Sequence, residues 1–310
     1  MNLKGRDIIS IRDMSKEEIE LILETAKRME PYAKGEKSSK LMDGKILGNL
    51  FFEPSTRTRL SFTAAMQRLG GEVMGFSGTG ITSIAKGENL ADSIRVVERY
   101  CDFIVIRHPM EGTARLAAEV SSKPIINGGD GANQHPTQTL LDLYTIRKLK
   151  GKIKGLNIAL LGDLKHARTM RSLTYASAMF GANLTLISPA GLEMSKDVLL
   201  EIKRNFNKVP FQTNDIDAGL RKADVIYICR IQKERFADKF EAEKMQKAFR
   251  ITPETLDQCK DDIAILHSLP KVTEIDPRVD EMKCAKYFDQ TFFGVPVRMA
   301  ILGLIGGAVR

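Results

Sequence analysis

The sequence contains no tryptophan, and aromatic residues make up only 6% of it. The stacking platforms that hold nucleic-acid bases are therefore scarce. The formal net charge is +8, yet lysine and arginine are scattered and never form a run of five. Such a surplus does not mark a nucleic-acid binder; it serves equally well to steer small anions to a cleft. Cysteine is sparse: Cys101, Cys229, Cys259 and Cys284 lie far apart, with no C-x-x-C pair. Zinc-ligand spacing is thus absent, and each reads as a free small thiol, buried or partly so. No unbroken apolar run of 18 residues and no signal-peptide pattern is present. With free thiols, this predicts a cytoplasmic location and no membrane. Repeats and low-complexity tracts are also missing.

What is present is an ordinary globular composition over 310 residues, 43% hydrophobic and 28% charged. That length predicts two domains and a core large enough to need neither disulfides nor metals. Strand and helix patterns alternate almost throughout. Ser15 and Glu18 read as a capping box opening a helix, with Ile19, Ile22, Leu23 and Ala26 as its apolar stripe. Short apolar runs over 45–52, 103–106 and 124–127 read as buried strands. A helix bearing Phe62, Ala65, Met66 and Leu69 ends at Gly70-Gly71. A further helix runs from Pro136 to Lys150, since proline is tolerated in a first turn. After it a second series begins, with strands at 156–161, 184–187, 225–229 and 263–266 and helices at 171–180 and 195–206. The expected fold is α/β: two doubly wound domains, each a mostly parallel sheet flanked by helices, joined by interdomain helices. The boundaries expected are 1–137 completed by a C-terminal helix at 291–310, and 150–286.

Ligands of such sheets sit at the carboxyl ends of strands, and the polar clusters fall there. Glu53-Pro54-Ser55-Thr56-Arg57-Thr58-Arg59 follows an apolar strand and opens a helix. Free backbone N–H groups, the helix dipole, hydroxyls and a planar guanidinium together suit a phosphate. Taken alone, the segment reads also as an N-cap with solvated arginines. The loop from Ser77 to Glu88, with Ser83 and Lys86, is polar and glycine-rich. Lys86 could reach a phosphate as a point charge or simply face water. Arg107-His108-Pro109 ends one strand. Another leads into Asn127-Gly128-Gly129-Asp130 and then His135-Pro136-Thr137-Gln138, where glycines admit close backbone approach. In the second half Arg168 follows Gly162-Asp163-Leu164. Arg230-Ile231-Gln232-Lys233-Glu234-Arg235 follows Cys229, and His267-Ser268-Leu269-Pro270-Lys271 follows Leu266. Two strand ends that each carry arginine suit a dicarboxylate.

The set, spread from about Asp7 to Ala300, resembles the transcarbamylase (aspartate/ornithine carbamoyltransferase) family. The signatures are Ser55-Thr56-Arg57-Thr58-Arg59, Arg107-His108-Pro109 and His135-Pro136-Thr137-Gln138. Arg230-Ile231-Gln232 looks like the motif of the aspartate-specific branch; the ornithine enzymes carry a different acidic motif there. The resemblance implies transfer of a carbamoyl group from carbamoyl phosphate to the amine of L-aspartate, a step of pyrimidine synthesis. The first domain would bind carbamoyl phosphate and the second aspartate.

It also implies roles. Ser55, Thr56, Arg57 and Thr58 would hold the phosphate. Thr58, Arg107 and His135 would contact the carbonyl oxygen, and Gln138 the amide nitrogen. Ser83 and Lys86 would come from a neighbouring subunit, making a homotrimer with shared sites. Arg168, Arg230 and Gln232 would bind aspartate together with Lys86. Leu269 and Pro270 would supply backbone contacts across a cis bond, which proline makes accessible. Glu53, Glu234, Arg235 and Arg298 would serve domain closure, Glu53 pairing with Arg168 and Arg230. No metal or organic cofactor is called for. The segment 110–119 looks like the helix that meets a zinc-binding regulatory chain in some relatives, and reads also as a solvated helix. The sequence departs from the family where Ser268 and Lys271 replace proline and arginine, and where His166 replaces tyrosine.

Overall fold

The capping box at Ser15 is realised: Glu18 N donates to Ser15 Oγ at 3.2 Å, and Ser15 N donates to Glu18 Oε2 at 2.8 Å. It opens α1 (Lys16–Ala33), whose buried stripe includes Ile19, Ile22, Leu23 and Ala26. The computed structural model describes residues 2–78, 86–231, 236 and 239–309, without the side chains of residues 239, 241 and 242. The chain forms two units, Met1–Tyr144 with Phe292–Arg310, and Thr145–Thr291.

The first unit continues with β1 (Ile46–Phe51), α2 (Thr56–Arg68), β2 (Glu72–Ser77), α3 (Leu90–Val97), β3 (Phe103–His108), α4 (Thr113–Val120), β4 (Ile125–Asp130) and the start of α5 (Pro136–Lys150). Its strands form a parallel sheet in the order β2-β1-β3-β4. Leu50, Phe52, Ile104 and Ile106 pack with Ile94 of α3 and with Ala114 and Ala117 of α4. On β1, Asn49 instead donates to Arg59 O at 3.2 Å, tying α2 to the sheet. Alternation along the strand thus puts Asn49 and Leu50 on opposite faces.

The second unit contains β5 (Asn157–Leu161), α6 (Arg168–Met179), β6 (Asn183–Ile187), α7 (Lys196–Phe206), β7 (Phe211–Thr213), α8 (Ile216–Leu220), β8 (Val225–Ile228), α9 (Lys239–Ala248), α10 (Pro253–Leu256), β9 (Ala264–His267) and the start of α11 (Tyr287–Ile305). Its parallel sheet runs β7-β6-β5-β8-β9. Ala159, Leu161, Ile226, Ile228 and Ile265 join Leu220, Leu256 and Tyr287 in one core. The chain leaves the first unit within α5 and returns to it within α11.

α11 is long and apolar enough to cross a membrane, although the sequence shows no unbroken apolar run because Asp289 and Arg298 interrupt it. Its most apolar window is 67% buried inside the fold, as in a core helix. The helix read over 110–119 starts only at Thr113: Gly112, at φ +79°, takes the N-cap position and donates its N–H to Asp130 Oδ2 at 2.9 Å.

Candidate active site

Strand ends carry most of the polar residues singled out above. At the end of β1 the chain turns through Glu53 and Pro54 into α2. Ser55 stands at the N-cap in an extended conformation and makes no side-chain cap. The first-turn N–H groups point out of the helix start, with Thr56 as its first residue, and Ser55 does not cap them. Arg57 is exposed at the second helical position. Loss of water around its guanidinium first, and the like charge of Arg107 second, hold it below the ordinary arginine value. An anion close to both guanidinium groups would relieve that repulsion.

Arg107 ends β3, where the pairing with β4 slips: Ile106 faces Asn127 but His108 faces Asp130. The extra residue lies on the Gly128-Gly129 side. Arg107 is buried, donating to Gly128 O at 3.2 Å and to Glu53 Oε1 at 2.9 Å. Its Nε is buried with no acceptor among the described residues. Asn127 fixes the turn by donating to Ile9 O and Asp130 Oδ1, both at 2.9 Å, and accepting from Gly129 N at 2.7 Å. His108 packs on Phe52 at 5.1 Å and accepts from Met110 N at 3.0 Å. Burial lowers its pKa, against the pull of Glu53.

Thr58 is buried, with Oγ1 3.4 Å from Nε2 of His135. The other ring nitrogen of His135 lies 3.5 Å from Thr137 Oγ1. Pro136 begins α5, so His135 sits at its mouth. One turn in, Gln138 Nε2 donates to Asp142 Oδ1 at 2.8 Å. Arg298 is buried on α11, 5.0 Å over the Phe62 ring, and donates to Gly294 O at 3.1 Å. Burial lowers its pKa to about 10, with Asp142 opposing the shift. The first unit thus brings together Thr58 with His135 and Arg107 with Glu53. Lys86 is exposed, and Ser83 lies outside the described residues.

In the second unit, Gly162-Asp163-Leu164 follows β5. Asp163 is fully buried and accepts from His166 N at 2.9 Å, with the His166 ring at 3.1 Å. Arg168, half-buried, opens α6 behind Ala167, which offers no side-chain cap. Arg230, also half-buried, follows Cys229 after β8. Gln232, Glu234 and Arg235 lie outside the described residues. After β9, His267 accepts from Leu269 N at Nδ1, 2.7 Å away. That bond leaves the ring proton on Nε2, which faces Glu274 Oε1 at 2.8 Å. Glu274 also accepts from Val272 N at 3.1 Å and Thr273 N at 2.9 Å. Leu269 is held at φ +55°, and the Leu269–Pro270 bond is cis. Lys271 pairs with Asp280 at 2.8 Å.

Sequence reasoning missed Asp142 and Glu274. Asp142 carried one signal, a carboxylate between the apolar Leu141 and Leu143, one turn beyond Gln138. Among the described residues no three His, Cys, Asp or Glu side chains come together as a metal site requires.

Comparison with known proteins gives a consistent result. The family model described as "Aspartate/ornithine carbamoyltransferase, carbamoyl-P binding domain" matches residues 6–148. The model described as "Aspartate/ornithine carbamoyltransferase, Asp/Orn binding domain" matches residues 154–305. The aspartate carbamoyltransferase catalytic subunit of Thermococcus kodakarensis is 55% identical over 309 residues, covering 100% of this chain and 99% of the relative. That of Archaeoglobus fulgidus is 54% identical, covering 96% and 98%. Among solved structures, the catalytic subunit of M. jannaschii aspartate transcarbamoylase superposes with a TM-score of 0.91 at 49% identity, covering 97% of each chain. Aspartate transcarbamoylase from Trypanosoma cruzi, in complex with carbamoyl phosphate and aspartate, gives 0.92 at 36% identity, covering 98% and 96%.

Proposed function

The chain belongs to the aspartate/ornithine carbamoyltransferase family, and from that premise we propose its reaction and the residues that carry it. It is an aspartate carbamoyltransferase: it transfers the carbamoyl group of carbamoyl phosphate to the amine of L-aspartate, giving N-carbamoyl-L-aspartate and phosphate, a step of pyrimidine synthesis. The observation that carries the residue assignments is the contact of Thr58 with His135, beside the uncapped start of α2 where the like charges of Arg57 and Arg107 act on each other.

The first-turn N–H groups of α2, with Ser55, Thr56 and Arg57, hold the phosphate. The neutral amine of aspartate attacks the carbamoyl carbon, forming a C–N bond. Negative charge gathers on the carbonyl oxygen, where Thr58, Arg107 and His135 stabilise it. The bond from carbon to the bridging oxygen breaks, and phosphate leaves, taking up the proton that the amine gives away. No side-chain nucleophile is required; most of the acceleration comes from holding two mutually repelling anions in line. Gln138 accepts from the carbamoyl amide. Arg168, Arg230 and Gln232 hold the carboxylates of aspartate, with backbone contacts from Leu269 and Pro270.

The exposed Lys86 fits a residue that reaches a neighbouring copy, with Ser83, in a homotrimer; light scattering that gives a monomer would overturn this. Met110 and Leu116 are 65% and 42% exposed, which supports a docking face over 110–119 for a zinc-binding regulatory chain. A cytoplasmic location follows from the soluble biosynthetic role. The test of function is ureido-product formation from carbamoyl phosphate with L-aspartate and L-ornithine in parallel. Product with aspartate alone is expected. Product with ornithine alone would reject the reading of the second unit and leave that of the first intact.

A further inference from the structure

Gln138 and Asp142 are one turn apart on α5, so their side chains share a face. Asp142 is fully buried, and its Oδ1 accepts from Gln138 Nε2 at 2.8 Å. A carboxylate can only accept, so the amide must turn its NH2 group toward Asp142. The amide oxygen then points away from the carboxylate. Gln138 is half-buried, and its side chain makes no other hydrogen bond among the described residues. The same side chain without Asp142 could flip, since its two ends are nearly the same shape. The buried carboxylate is itself balanced by the charge of Arg298, whose guanidinium is buried on α11.

We infer that Asp142 is a specificity-determining positioning residue: by fixing the Gln138 amide with its oxygen free, it makes the site select a carbamoyl NH2 over a methyl group. A carbamoyl nitrogen offers two N–H donors to that oxygen. An acetyl group of the same shape offers none and leaves the acceptor unsatisfied. Discrimination by an unpaired polar group is stronger than discrimination by shape. This inference rests on the proposal that Gln138 meets the carbamoyl amide.

The experiment compares KM for carbamoyl phosphate with the inhibition constants of acetyl phosphate and inorganic phosphate, in the wild type, Gln138→Ala and Asp142→Asn. Asparagine fills the same space but accepts either orientation of the glutamine amide. The preference for carbamoyl over acetyl phosphate is expected to fall about tenfold in Asp142→Asn, the effect of one hydrogen bond. Inorganic phosphate should bind as in the wild type, which a general loosening of the fold would not permit. If Gln138→Ala collapses the preference and Asp142→Asn leaves it unchanged, the role of Asp142 is wrong. If Gln138→Ala leaves it unchanged, the placement of Gln138 at the carbamoyl amide fails, and this inference with it. Should Asp142→Asn fail to fold, Asp142→Ser is read in the same way, because a hydroxyl also accepts both orientations.

Discussion

Glu274 and His267 lie 2.8 Å apart with side chains only 5% and 2% exposed. Glu274 holds the ring by one oxygen and two backbone N–H groups by the other. The ring in turn holds the N–H of Leu269, a residue in the left-handed region. Glu274→Ala strips the acceptor from two backbone N–H groups and removes the carboxylate that lies against the His267 ring. It should cost about 3 kcal/mol of stability, the scale of a broken buried pair. Urea unfolding measures this, and a loss below about 1 kcal/mol would mean that the pair is dispensable.

The same carboxylate gives a pH signature. Burial pushes Glu274 up, but the neighbouring His267 ring and the backbone N–H groups outweigh it, leaving the pKa below 4.5. A depressed folded value means that the stabilisation is fully present above 4.5 and is lost as pH falls through the folded value. The gap in melting midpoint between the wild type and Glu274→Gln should therefore narrow on acidification below 4.5. A constant gap over that range would contradict the assignment.

Arg57→Ala should leave folding nearly intact, since the side chain is exposed on the first turn of α2. Turnover should fall by about 10²–10³, the usual cost of losing one donor to developing charge. Steady-state kinetics beside a thermal melt separates the two effects. Near-normal turnover would remove Arg57 from the phosphate site.

Gly162 follows β5 at φ +124°, and a Cβ there would lie 2.1 Å from Cys229 O. The obstacle is the backbone following the adjacent β8, which cannot swing aside as a side chain would. Gly162→Ala should destabilise the protein by about 3 kcal/mol or more through strain and displacement of the strand end. Chemical unfolding tests it, with a change under about 1 kcal/mol indicating that the strands can part.

Most of the strands that could be read directly are buried on both faces. β1, β3, β5 and β8 lie inside their sheets and appear as continuous apolar runs. Two strands gave no such run: β2 and β7, each at a sheet edge and each partly exposed along its length. β4 and β9 are also edges, yet Ile126 of β4 bridges Ile8, and Ile265 of β9 bridges Ala285. That cover keeps them apolar and therefore legible.

The sequence by itself determined the alternation of elements, the helix starts, and which residue types stand at the strand ends. These follow from local periodicity and capping, which neighbouring residues set. Only the tertiary structure decided the partners. Glu53 meets Arg107 across 54 positions, and Thr58 meets His135 across 77. The roles of Asp142 and Glu274 also appear only there, because the orientation of an amide or an imidazole depends on which buried acceptor the fold delivers to it.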